Sequence, residues 1–183
     1  MRANQPTTLR PRGFTLLELI TTMAVGVVLV GFAVPSMANF MRNHRALTVA
    51  DSFSTAVTKA RSIAAATNSY VTVAPMDGSN WSSGWRVFSE GATPNGTYEN
   101  TEKLIGVYEK LPTDVIITDV STPAGLNYIS FSPVGYSQNA DKAQMSMTAG
   151  FQIGTSRRVV EVSLLGRSRV CNPDVDTTTC AMP

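Results

Sequence analysis

The chain has 183 residues, with 15 lysines and arginines against 13 aspartates and glutamates, and a formal net charge of +2. That length admits one globular domain of roughly a hundred residues beside a stem. So small a net charge gives the chain as a whole no drive toward an anionic partner, and only local clustering can supply one. Two cysteines and a single histidine, His44, leave no ligand set for a metal site.

From Phe14 to Met41 the only charged residue is Glu18, and the run exceeds the roughly 20 apolar residues that cross a bilayer as a helix. A carboxylate inside lipid costs about 2.5–3.5 kcal/mol or more at the bilayer centre, so Glu18 calls for a partner. Arg2, Arg10 and Arg12 all precede the run, which places the N-terminus in the cytoplasm by the positive-inside bias and the rest of the chain outside. One reading is a plain signal anchor with an incidental Glu. A secretory signal, however, has a shorter apolar core followed by a small-residue cleavage site, whereas here Gly13-Phe14 stands before the core and helix-compatible sequence continues after it.

The stretch Arg12-Gly13-Phe14-Thr15-Leu16-Leu17-Glu18 resembles the N-terminal signature of type IV pilins and of the pseudopilins of type II secretion. The resemblance implies that residues 1–13 are a leader, that a prepilin peptidase cuts between Gly13 and Phe14 and methylates the new amine, and that Glu18 docks the subunit among other pilins. Such docking is physically sensible, because the amine of Phe14 on a neighbouring subunit would neutralise a carboxylate that lipid penalises. The implied course runs from bacterial inner membrane, crossed once, to a pilus that spans the periplasm or extends outside the cell. Without Arg2, Arg10 and Arg12 the charge falls to −1, 12 basic against 13 acidic residues.

Residues 14–41 form the expected membrane or filament-core half of a helix, and residues 42–68 its amphipathic half. Pro35 removes an amide donor between them and is expected to loosen the helix. Leu47, Ala50, Phe53, Val57, Ala60 and Ala64 recur at three- and four-residue steps, with Arg42, Arg45, Asp51, Lys59 and Arg61 falling largely between them. His44 and the nearby arginines read as solvated helix surface or as contacts to lipid headgroups.

From Ser69 the period changes to two. Candidate strands are Ser69–Ala74, Trp85–Ser89, Lys103–Tyr108, Val115–Thr118, Tyr128–Ser132, Gln144–Thr148 and Arg157–Leu164, punctuated by Gly, Pro, Asn, Asp and Ser. Gly91 to Asn100 reads as a loop. Residues 69–183 are thus expected to form a β-rich region, and the fold class is α+β: a long helix packed on an antiparallel sheet or small sandwich. Cys171 and Cys180 lie close together in a segment expected outside the cytoplasm, where a disulfide closing a short C-terminal loop is favoured.

Three further stretches, Trp81-Ser82-Ser83-Gly84-Trp85-Arg86-Val87-Phe88, Ile129-Ser130-Phe131-Ser132-Pro133-Val134-Gly135, and Arg158-Val159-Val160-Glu161-Val162 leading to Gly166-Arg167-Ser168-Arg169, are similar to ordered landmarks of the GspH/FimT group of minor pilins. Taken with the N-terminus, the resemblance covers essentially the mature chain and is greatest to the FimT-like members. For those members a C-terminal Gly-Arg-any-Arg motif implies contact with double-stranded DNA in natural transformation, which carries that role to Gly166, Arg167 and Arg169. Core packing is the simpler account of Trp81, Trp85 and Phe88, and a backbone turn that of Gly135.

Independently of the resemblance, Arg157, Arg158, Arg167 and Arg169 face only Glu161 between residues 157 and 169, although 8 basic and 11 acidic residues follow Ser69 overall. If the segment is a strand, alternation points Arg167 and Arg169 the same way, spaced to grip adjacent phosphates. Arg86 and Lys142 are candidates to extend the patch. Such contacts read backbone charge, so binding would be non-specific and salt-sensitive. The other reading is an assembly subunit of a pilus or secretion pseudopilus that touches no DNA. No nucleophile elbow, metal-ligand cluster or phosphate-cradling loop is present in the sequence, so neither an enzyme nor a cofactor is expected.

Overall fold

The structure is a computed structural model that describes residues 13–183. The expected leader, apart from Gly13, and the arginines taken to set orientation lie outside the described residues.

One helix, α1 (Leu16–Thr67), opens the chain. Thr15 caps it: the Glu18 amide donates to Thr15 Oγ1 at 3.2 Å, which satisfies one of the four amides a helix start leaves without partners. At the far end Asn68 takes a positive φ of 50°, and the Ser69 amide donates to the Ala64 carbonyl at 3.3 Å, the six-to-one bond of a Schellman cap. The helix runs past Pro35 without a break, although Pro35 itself has no amide to donate.

The chain divides into a helical unit up to Asn39 and a compact unit from Phe40 to Pro183. In the helical unit the large apolar side chains from Phe14 to Phe32 are 52–83 % exposed, and α1 is long and apolar enough to cross a membrane. In the compact unit one stripe of α1 is buried: Ala46, Ala50, Phe53, Val57, Ala60 and Ala64, at steps of four and three that keep one face turned inward. Leu47, expected in this stripe, is exposed, and Ala46 takes its place. The reason is local: at this turn of the helix Ala46 is the residue that packs against Val115 and Ile153.

Eight strands follow: β1 (Tyr70–Pro75), β2 (Trp85–Gly91), β3 (Lys103–Tyr108), β4 (Val115–Thr122), β5 (Ile129–Phe131), β6 (Ser146–Ile153), β7 (Ser156–Val162) and β8 (Ser168–Cys171). They form two four-stranded antiparallel sheets, ordered β3-β2-β1-β5 and β4-β6-β7-β8. Both sheets turn an apolar face to the α1 stripe, so Val71, Val73 and Val87 of the first sheet and Met147, Ala149, Phe151 and Val160 of the second share one core. Phe53 is central to it. Its ring meets Trp81 edge-on at 5.1 Å and Trp85 at 5.3 Å, an arrangement the ring quadrupoles favour. Trp81, Trp85 and Phe88 are buried and are core residues.

Candidate functional site

The Gly-Arg-Ser-Arg stretch lies on the β7–β8 hairpin. Register pairs Glu161 with Arg169 and Val162 with Ser168, and the Ser163 amide donates to the Arg167 carbonyl at 2.9 Å, leaving Leu164, Leu165 and Gly166 as the turn. A three-residue hairpin needs its last turn residue at positive φ, and Gly166 supplies φ 73°. The position is also tight: a Cβ on Gly166 would lie 2.4 Å from the Gly135 carbonyl oxygen and 3.1 Å from Arg61 Nε. Arg61 Nε in turn donates to that same carbonyl at 2.9 Å. Helix α1, the turn after β5 and the β7–β8 hairpin therefore meet at one junction, and Gly166 is explained by that junction.

The arginines have unlike surroundings. Arg167 follows the turn and lies just outside β8, so strand alternation does not set its direction relative to Arg169. Its side chain is exposed and makes no hydrogen bond or ion pair among the described residues. Arg169, in β8, is committed: Nη2 and Nε donate to Glu161 Oε2 at 2.8 and 3.1 Å, and Nη1 to Thr179 Oγ1 at 3.2 Å. Thr148, Glu161, Arg167 and Arg169 line one shallow surface concavity. With side chains 49 % and 30 % exposed, the Arg169–Glu161 pair is worth at most about 1 kcal/mol in water.

The remaining candidates do not converge there. Arg157 shares the outer face of β7 with Glu161 and is paired to Asp174. Arg158 projects to the opposite face, where Nη2 donates to Asn43 Oδ1 at 2.7 Å. Arg86 belongs to the other sheet, donates to the Met76 carbonyl and stands 5.0 Å from the Tyr98 ring centre. Lys142 lies in a loop, 6.0 Å from the Tyr70 ring.

Cys171 and Cys180 are joined by a disulfide, and the tail that follows, at Met182, lies over the outer face of the second sheet. Gly150 permits this, since a Cβ there would lie 2.8 Å from Met182 Cε. Thr179 supplies hydrogen bonds to Arg169 from the loop between the cysteines, and Asp176 orders it by accepting from the Thr179 amide at 3.0 Å and its hydroxyl at 2.6 Å. Those bonds hold the Asp176 carboxyl below its ordinary value of 3.8.

At the other end of the chain, Gly13, Phe14, Thr15 and Glu18 line a shallow hollow. Phe14 is 83 % exposed, and the Glu18 carboxylate makes no hydrogen bond or ion pair among the described residues. His44 lies on the exposed helix surface beside Thr48. Reading the sequence missed Arg61. No local signal marks it, because its partner carbonyl lies 74 residues further along the chain.

Residues 49–166 match the family model for type II transport protein GspH, and residues 9–34 match the prokaryotic N-terminal methylation motif. No curated protein matches the chain. The fold is similar to that of the type IV minor pilin FimU of Pseudomonas aeruginosa strain PAO1 in two crystal forms. The first, in space group P21, gives a TM-score of 0.55 at 14 % identity over 74 % of this chain and 94 % of that one. The second, in space group P65, gives 0.51 at 14 % identity over 70 % and 94 %. A pilin-type N-terminus followed by a match over most of the compact unit makes the chain a member of the GspH family, a type IV minor pilin or pseudopilin.

Proposed function

We propose that the chain is a minor subunit of a type IV pilus, cut by prepilin peptidase between Gly13 and Phe14, docked among other pilins through Glu18, and able to hold DNA by its phosphate backbone at the β7–β8 hairpin. The observation that supports DNA contact is the exposed Arg167 guanidinium beside the hairpin turn, with none of its donors committed among the described residues. Guanidinium binds phosphate bidentately and stays charged at any physiological pH. Binding of this kind is non-specific and falls steeply with salt, which suits capture of extracellular DNA for natural transformation. The test is Arg167→Ala in a transformable host. DNA uptake is expected to fall while pili remain visible, and loss of pili together with uptake would refute the DNA role.

A second reading is an assembly subunit of a pilus or secretion pseudopilus that binds no DNA. It is favoured by a specific observation: Gly166 is accounted for by the junction with Gly135, and Arg169 by Glu161 and Thr179, so half of the Gly-Arg-Ser-Arg motif has an internal structural explanation. On this reading Arg167→Ala leaves both uptake and pili unchanged.

A further inference from the structure

Arginines that carry a structural bond and arginines that are free to bind an anion can be told apart by their terminal nitrogens. Arg45 gives both Nη atoms to Asp114, at 2.9 Å each. Arg158 gives Nη1 to the Arg157 carbonyl at 2.6 Å and Nη2 to Asn43. Arg157 and Arg86 each commit one Nη, to Asp174 and Met76, and Arg169 commits both, together with Nε. Arg61 differs: its hydrogen bond to Gly135 uses Nε, which fixes the guanidinium plane and leaves Nη1 and Nη2 without partners among the described residues. Arg167 has no side-chain bond among them. Arg61 Nε approaches the Cβ position of Gly166 to 3.1 Å, which sets Arg61 against the hairpin backbone one residue before Arg167, while the two side chains line neighbouring hollows of their own.

From this placement we infer that Arg61, and not Arg169, is the second phosphate-binding cation at the hairpin. The inference rests on the DNA reading above and names a different residue for it. Arg61 is the better prepared of the two. Its Nε bond holds the fork in place before any ligand arrives, so little side-chain entropy is lost on binding. Recruiting Arg169 requires breaking its bonds to Glu161 and Thr179, and it would leave a carboxylate beside the incoming phosphate. The surroundings of Arg61 suit an anion as well: Thr58 and Ser62 line the same hollow beside Val134 and Gly135, and no acidic side chain lines it. The Gly135–Gly166 contact then serves to bring a helix arginine against the backbone of the hairpin that carries Arg167, an approach that no stretch of local sequence contains.

The experiment uses the full mature chain in detergent and a short fluorescent DNA duplex, titrated by anisotropy over a series of salt concentrations. Arg61→Ala and Arg167→Ala are each expected to weaken binding several-fold and to lower the slope of log K against log salt by about one, the signature of a lost phosphate contact. Arg169→Ala is expected to leave the slope unchanged, with any loss of affinity coming from the Glu161 carboxylate that it unpairs. A lowered slope in Arg169→Ala with an unchanged slope in Arg61→Ala would overturn the inference and leave the DNA reading standing. Failure of the wild-type chain to bind at low salt would overturn the DNA reading, and the inference with it. A purely structural Arg61 weakens binding without altering the slope, which also overturns the inference. Should Arg61→Ala not fold, modification of wild-type arginines by phenylglyoxal with and without duplex decides the matter. Protection at Arg61 and Arg167 is expected, and protection at Arg169 in place of Arg61 refutes the assignment.

Discussion

Leu19 and Phe53 are large apolar residues on the same helix, yet Leu19 is 52 % exposed and Phe53 1 %. Around Phe53, alanines at 50, 60 and 64 let two sheets come close, and the charged residues fall on the remaining faces. Around Leu19 large apolar side chains point in every direction, with only Glu18 and a few threonines among them, so no rotation of the helix would present a continuous polar face to water. A stripe signals a partner within the same molecule, whereas apolar residues all round signal burial in lipid or among other copies. Glu18 sharpens the contrast: its amide is used by the Thr15 cap, while its carboxylate remains available to a group on another molecule.

Two substitutions break this contrast in opposite directions. Phe53→Ala removes a ring packed against Trp81, Trp85 and Phe151 and is expected to cost about 3–5 kcal/mol of domain stability, measurable by chemical denaturation. Glu18→Ala is expected to leave that stability unchanged and to deplete the protein from sheared pili. Normal recovery of Glu18→Ala in filaments would end the docking argument.

A smaller effect is expected at the hairpin. Gly166→Ala places a side chain at φ 73°, costing about 1–3 kcal/mol, and drives its Cβ to 2.4 Å from the backbone oxygen of Gly135. Gly135→Ala, also at positive φ, meets Arg61 Nε at 3.3 Å, and that side chain can yield. Thermal melting should therefore rank Gly166→Ala below Gly135→Ala, and the reverse order would mean that the junction is not tight.

Much of the fold was legible because periodicity reports burial. The change from a three-and-four spacing to alternation near Ser69 marks the end of α1, and each of the seven expected strands overlaps an observed one. The misses share a cause. β6 was expected to end at Thr148 but runs to Ile153, because Gly150, which reads as a breaker, sits mid-strand beneath Met182. β4 continues past Thr118 to Thr122 through Asp119, which also reads as punctuation. β8 was not among the seven candidate strands, although a strand was entertained there for the arginines: it has four residues, ends at a cysteine, and is defined by pairing with β7. At the candidate site the Gly-Arg-Ser-Arg pattern drew attention to the right hairpin. It could not tell a committed arginine from a free one, because Thr179 and Arg61 reach the hairpin only through the folded chain.

The smallest expected effect concerns the tail that holds Arg169. Hydrogen bonds from the Thr179 hydroxyl and amide lower the Asp176 carboxyl below 3.8. A carboxyl depressed in the folded state contributes stability that is fully present above its unfolded value and is lost as pH falls through its folded value. Asp176→Asn should therefore melt slightly below wild type at neutral pH, and the difference should close as pH drops well under 3.8. Because the carboxyl is exposed, the neutral-pH difference is expected to be small. A difference that persists in acid would mean that Asp176 acts through packing, with its charge irrelevant. A difference that closes would show that the tail is held electrostatically, and Arg169 should then lose its Thr179 contact in the same pH range.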